Sequence, residues 1–326
     1  MAVRFINKPK CVDKRKYDEA IEEALGIFRR IRGTTAVYQL GSTNHPGISD
    51  LDLLIVFEDS ARVDLDITRE LYRINSYLFA HQPVALSKTH FIEAAKYAVW
   101  YKPILLWGAD LKTDNVQSGP VEREAVGRQS ALEYLLDNYI DLTIQLTYGV
   151  IKLRATLQHI KAIRLDLELL GIAGGRMHGM AHELHGWLDS WFESPASERK
   201  LWTWIGDFYD ELERLLRAQL EGAPLYMPTE SKQQYGRNIA LVRSSKLGFQ
   251  FTGMSLPPFL INLHKKLFNM NTRLNSYTFG IPQTETPTHP ILDERFRLYR
   301  QIKRHVTQSY PHFQPQIPGF CNRTLG

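Results

Sequence analysis

The chain has 326 residues, 44% hydrophobic, 23% charged and 11% aromatic, a balance that supplies a sizeable core and excludes wholesale disorder. Its two cysteines, Cys11 and Cys321, stand far apart without a Cys-x-x-Cys spacing, which excludes a disulfide framework and a cysteine zinc site. The net charge of +5 is unevenly spread: residues 226–326 carry thirteen Lys and Arg against four Asp and Glu, a balance of +9, which leaves −4 for residues 1–225.

The opening Met1-Ala2-Val3-Arg4-Phe5 lacks a hydrophobic signal region, and no purely apolar run is long enough to cross a bilayer, so a cytoplasmic chain without a membrane partner is expected. Tyr17, Ile21, Leu25, Phe28 and Ile31 recur at three and four residues and Gly33 stops them, the pattern of an amphipathic helix. Thr34 to Leu40 is β-branched and aromatic enough for a strand, Gly41 to Gly47 is loop chemistry, and Asp50 to Phe57 is a second strand. Ile67, Leu71, Ile74 and Leu78 mark another helix, followed by short strands at Pro83–Leu86 and Pro103–Gly108. Residues 1–118 thus form an α/β unit.

Residues 119–222 read as a bundle of about four helices. Leu132, Leu135, Leu136, Tyr139 and Leu142 open it, a helix from about Tyr148 to Leu170 follows, and Gly171 with Gly174-Gly175 ends that one. Ser194-Pro195 is the expected cap of the last helix, through Trp202, Ile205, Phe208 and Leu212. Residues 223–326 form a basic segment in which Pro257-Pro258 and 280–290 read as loop. Lys265-Lys266 and Arg295, Arg297, Arg300, Lys303 and Arg304 are its densest positive groups, and a helix from about Asp293 to Val306 would bury Phe296, Tyr299 and Ile302. Basic residues interleaved with aromatics also suit a nucleic-acid surface, which keeps RNA among the partners.

The informative stretch is Gly41-Ser42 followed, after seven residues, by Asp50-Leu51-Asp52. Alternation on a strand puts both aspartates on one face with about 7 Å between α-carbons, close enough to share a metal ion. Magnesium takes one or two carboxylates and keeps waters and substrate phosphates. A glycine before Ser42 lets backbone N–H groups approach a phosphate, and adjacent like charges on an apolar strand call for a cation.

These residues resemble the DNA polymerase β-type nucleotidyltransferase superfamily, whose signature is an apolar residue, Gly-Ser or Gly-Gly, a spacer, then Asp-apolar-Asp on the next strand. The resemblance covers residues 15–110. For that stretch it implies a polymerase β-like mixed sheet with helices; with the helical bundle and the basic C-terminal segment read above, an α+β architecture is expected for the whole chain. The resemblance also implies transfer of a nucleoside monophosphate from a nucleoside triphosphate to an acceptor hydroxyl, or sometimes a phosphate, releasing pyrophosphate; ATP is the favoured donor, and the lack of a long basic tract together with the histidines and tryptophans of the bundle favours a small-molecule acceptor. By position, Gly41 and Ser42 would hold the β- and γ-phosphates, and Asp50 and Asp52 would bind Mg²⁺ or Mn²⁺ as catalytic ligands.

One departure stands out: active members carry a third carboxylate on the strand after the next helix, and residues 81–90 contain none. Glu58, Glu93 or a bundle residue could substitute, one metal could suffice, or the domain could bind nucleotide without turning it over. His81 and His90 are candidate ligands or bases, although strand-end histidines are more often ordinary surface residues. In the bundle, Lys152 and Arg154 are candidates for the triphosphate. His178, His182 and His185 share one helix face, with His182 a candidate base for the acceptor hydroxyl and the trio a less favoured metal site. Transfer to RNA and a non-catalytic nucleotide sensor are the alternatives.

Overall fold

The computed structural model describes residues 4–98, 103–111, 113, 118–228, 234–236, 238–254 and 265–315. Pro257-Pro258, Cys321 and the side chains of Lys265 and Lys266 lie outside the described residues. Helices account for 51% and strands for 17%, so the chain is a mixed α and β protein. It divides into two compact units. Lys10–Val126 with Asp293–Pro318 make a sheet unit, and Met1–Pro9, Gly127–Leu292 and Gly319–Gly326 make a helical unit, so residues 223–326 are shared between them.

In the sheet unit, β2 (Thr34–Leu40) and β3 (Asp52–Phe57) run antiparallel with Leu40 opposite Asp52. Strand β4 (Val84–Ser87) lies parallel to β3, Val84 beside Leu54, and β5 (Ile104–Gly108) lies antiparallel on the other side of β2, giving the order β4-β3-β2-β5. Leu53 to Phe57 are all buried, the continuous apolar run of a strand covered on both faces. Helix α1 (Arg15–Phe28) turns Tyr17, Ala20, Ala24, Leu25 and Phe28 inward. Helix α2 (Ile67–Asn75) is capped by Asp66, whose carboxylate accepts from the Arg69 N–H, and α3 (Lys88–Ala94) starts directly from β4 with the Ser87 hydroxyl as its cap.

The unit is completed by chain from the far end of the sequence. Helix α9 (Pro290–Ser309) contains the expected 293–306 helix, with Tyr299 and Ile302 buried and Phe296 half-buried. Beyond it the Tyr310 and Phe313 rings pack on Phe57 at 4.7 and 5.4 Å. Gln314 then bridges to Val84: its carbonyl accepts from Ala85 N and its N–H donates to Pro83 O, each at 3.0 Å. The outer edge of β4 is thereby paired.

The helical unit carries the four long helices required by the leucine periodicity: α4 (Pro120–Thr147, entering the unit at residue 127), α5 (Leu153–Leu169), α6 (Arg176–Asp189) and α7 (Glu198–Gly222). Two boundaries differ from expectation. Gly149, at φ +64°, breaks the chain after α4, and β6 (Val150–Lys152) then pairs in parallel with β1 (Arg4–Ile6), so Lys152 ends a strand instead of lying within a helix. The cap of α7 is Ser197, extended and accepting from the Lys200 N–H, while the Ser194 N–H is used in a turn to Ser190 O after α6.

The 223–292 stretch holds strands that its turn-rich composition conceals. Strands β8 (Gln234–Gly236), β9 (Ile239–Arg243), β10 (Gly248–Thr252) and β11 (Ser276–Ile281) form a sheet in the order β10-β11-β9-β8, with α8 (Lys265–Leu274) before β11. Strands β7 (Leu225–Tyr226) and β12 (Gln283–Thr284) pair in parallel. The expected 280–290 loop therefore includes the end of β11 and all of β12. Tyr277, Phe279 and Ile281 are buried at period two, and Phe279 meets Tyr139 of α4 edge-on at 6.1 Å.

Candidate metal centre

The centre grows from the turn between β2 and β3. Gly41 takes φ +67° with open space where a side chain would stand, and Gly41 and Ser42 are exposed next to the Leu40–Asp52 pair of the ladder. Residues 43–51 are then pinned by backbone and by two tyrosines. The N–H groups of Ile48 and Ser49 both donate to His45 O, and Leu51 N donates to Leu78 O at 2.9 Å. Tyr17, 1% exposed on α1, accepts from the Gly47 N–H at 2.8 Å and donates to Ser49 O at 2.7 Å. Tyr77 donates to Gly47 O and accepts from the Lys10 N–H at 2.8 Å. The segment leading to Asp50 is thus held from both sides.

Asp50 lies just before β3 and Asp52 is its first residue, a shorter strand than the sequence implies. Their side chains are 18% and 33% exposed, and both face His81. His81 Nε2 lies 2.8 Å from Asp52 Oδ1 and 3.4 Å from Asp50 Oδ2. One ligand atom from each residue falls within 4.8 Å of the others, the one such group of three His, Cys, Asp or Glu found among the described residues. Strand register explains the meeting. Because β4 runs parallel to β3 with Val84 beside Leu54, the residues just ahead of Val84 lie at the same sheet end as Asp52. The hydrogen bond to Asp50, followed by that to Asp52, raises the His81 pKa against the opposing effect of burial.

Two carboxylates and an imidazole are a donor set that fits a divalent ion: charge-neutralising, oxygen-rich and clustered. The alternative third carboxylates do not belong to it. Glu58 follows β3 at the end opposite Asp52 and accepts from Thr35 Oγ1 at 3.0 Å, and Glu93 lies on α3 outside the cluster. His90 is likewise elsewhere, 3.1 Å from Ser87 Oγ and ring-to-ring with His305 at 5.1 Å.

The remaining candidates belong to the helical unit. Lys152 donates its backbone N–H to Gln145 Oε1 at 2.6 Å and sets its ammonium 5.5 Å from the Phe268 ring centre. Arg154 is buried at 8% exposure in the first turn of α5, its N–H donating to Asn7 O at 3.0 Å. His182 is exposed on α6, and the trio of His178, His182 and His185 forms no metal-binding group.

Sequence reasoning raised His81 only as one option and missed Tyr17 and Tyr77. The available signal for His81 was its position three residues ahead of a strand parallel to β3; a tyrosine that braces a loop from a helix leaves no local signature. Comparison with protein-family models, curated proteins and solved structures returned no match. Among the described residues, no helix is long and apolar enough to cross a membrane.

Proposed function

We propose that the chain is a metal-dependent nucleotidyltransferase that moves a nucleoside monophosphate from a nucleoside triphosphate, ATP in the favoured case, to a hydroxyl of a small-molecule acceptor. The observation that carries this reading is the convergence of Asp50, Asp52 and His81 beside the Gly41-Ser42 turn. The mixed order β4-β3-β2-β5, with the aspartates at the start of β3 and a glycine turn leading into them, supports the resemblance to the polymerase β-type superfamily.

In this reading Asp50 and Asp52 hold the ion, and the backbone N–H groups at Gly41 and Ser42 with the Ser42 hydroxyl cradle the β- and γ-phosphates. A bound Mg²⁺ or Mn²⁺ supplies Lewis-acid neutralisation of the charge that develops on the leaving pyrophosphate. The acceptor oxygen attacks the α-phosphorus in line, the bond to the pyrophosphate oxygen breaks, and the hydroxyl proton passes to a base or to solvent. The rigid Tyr17–Gly47–Tyr77 brace supports the reading because positioning supplies much of the catalysis in phosphoryl transfer.

The test is calorimetric titration of non-hydrolysable triphosphates with Mg²⁺, Mn²⁺ or EDTA into the wild type and the Asp50→Asn/Asp52→Asn double variant. Metal-dependent binding that disappears in the variant is expected; equal binding by both would remove the reading. Absence of the usual third carboxylate favours one second reading, a nucleotide sensor without turnover. It predicts the same binding with no pyrophosphate released from ATP in the presence of any acceptor.

A further inference from the structure

Resting on the nucleotidyltransferase reading, we propose that His81 is the third metal ligand of this centre and that its imidazole makes the site prefer a first-row transition ion over Mg²⁺. The geometry is that of a ligand. Ions bonded at about 2.1–2.2 Å bring neighbouring ligand atoms to about 3 Å from each other, and His81 Nε2 lies 2.8 and 3.4 Å from the two carboxylate oxygens.

The other ring nitrogen sets the tautomer. His81 Nδ1 lies 3.4 Å from the Gln82 carbonyl oxygen, which only accepts, so Nδ1 can keep its proton when a metal ion displaces the Nε2 proton that now faces Asp50 and Asp52. The chain just after His81 is anchored by the bond between Gln314 N and Pro83 O, which fixes the approach to β4.

Ligand chemistry then decides the ion. Magnesium takes oxygen donors in a near-ideal octahedron and gains little from an imidazole, whereas affinity of nitrogen-containing sites rises along the first transition row. A centre with two carboxylates and one imidazole therefore discriminates where an all-carboxylate centre would accept Mg²⁺ readily. His81 is 46% exposed at its side chain, so its replacement leaves the core intact and tests the ligand alone.

The experiment uses Mn²⁺ as the probe, because it resembles Mg²⁺ in coordination and is paramagnetic. Binding is followed by electron paramagnetic resonance, with Mg²⁺ measured by competition, for the wild type, His81→Ala, His81→Asp and Asp52→Asn. Pulsed spectra are taken for nitrogen modulation from a coordinated imidazole, and metal-free thermal melts check folding.

Expected are a wild-type site showing nitrogen modulation and a Mn²⁺ preference over Mg²⁺. His81→Ala should lose the modulation and about tenfold or more of the Mn²⁺ affinity. His81→Asp should restore binding without modulation and move the ratio toward Mg²⁺, and Asp52→Asn should bind neither ion. Manganese binding that Asp52→Asn abolishes, but that shows no nitrogen modulation and keeps its affinity in His81→Ala, would overturn the role of His81 while leaving the carboxylate centre standing. A wild type that binds neither ion overturns both the proposal and the reading on which it rests.

Discussion

Tyr17 uses one hydroxyl twice, accepting from Gly47 and donating to Ser49, in a site that water does not reach. Tyr17→Phe keeps the ring and leaves both backbone groups without that partner, so unfolding stability should drop by about 1–3 kcal/mol in a denaturant titration. Manganese affinity should fall with it, because the segment that carries Asp50 loses one of its two braces; unchanged affinity would show that the loop is held without Tyr17. The aspartates were legible in the sequence because two carboxylates at alternate positions beside an apolar strand have few other uses. His81 was legible only as one option among several, since its partners lie some thirty residues back and meet it only through the parallel register of β3 and β4. The two tyrosines look like any aromatic residue until their hydroxyl partners are known.

Helix α9 and the turn after it cover Phe57 and close the outer edge of β4. Phe313→Ala removes a buried ring from Phe57 and Tyr310 and should cost about 3–5 kcal/mol, read as a lower denaturant midpoint. Ser197→Ala, by contrast, removes only a helix cap and should cost about 1 kcal/mol.

The contact between His305 of α9 and His90 of α3 adds a pH dependence. Burial foremost lowers the pKa of both, with His305 adding to the effect at His90 and Arg62 at His305, while Asp59 opposes it at each; Ser87 and Tyr310 are the neutral neighbours. Below the ordinary histidine value of 6.5 the unfolded chain takes up protons that the folded one resists. Stability should therefore decline as pH falls from about 6.5, and His305→Gln should flatten that slope in denaturant titrations at stepped pH. Long helices were readable from leucines at helical spacing. Strands β7–β12, two to six residues each among prolines, glycines and polar residues, were not, because so few positions cannot establish a period.

At the scale of the whole molecule, the excess positive charge of residues 226–326 falls in both units and part of it is already engaged: Arg297 pairs with Asp293 at 3.1 Å, and Arg300 lies 6.0 Å from the Phe296 ring centre. A small-molecule acceptor predicts negligible binding of RNA oligonucleotides at any salt. An RNA acceptor predicts affinity that falls more than about tenfold between about 50 and 200 mM salt, a difference that filter binding resolves. The architecture also bears on how the protein is made. The chain that seals the outer edge of β4 and covers Phe57 is synthesised after all of residues 127–292, which at about 5–20 residues per second takes roughly ten to thirty seconds. Throughout that interval the first half-finished sheet waits on the ribosome with an apolar strand and an open edge exposed. A chaperone that shields nascent chains, or a slow-translating stretch in the message, would thus be expected to raise the yield of folded protein.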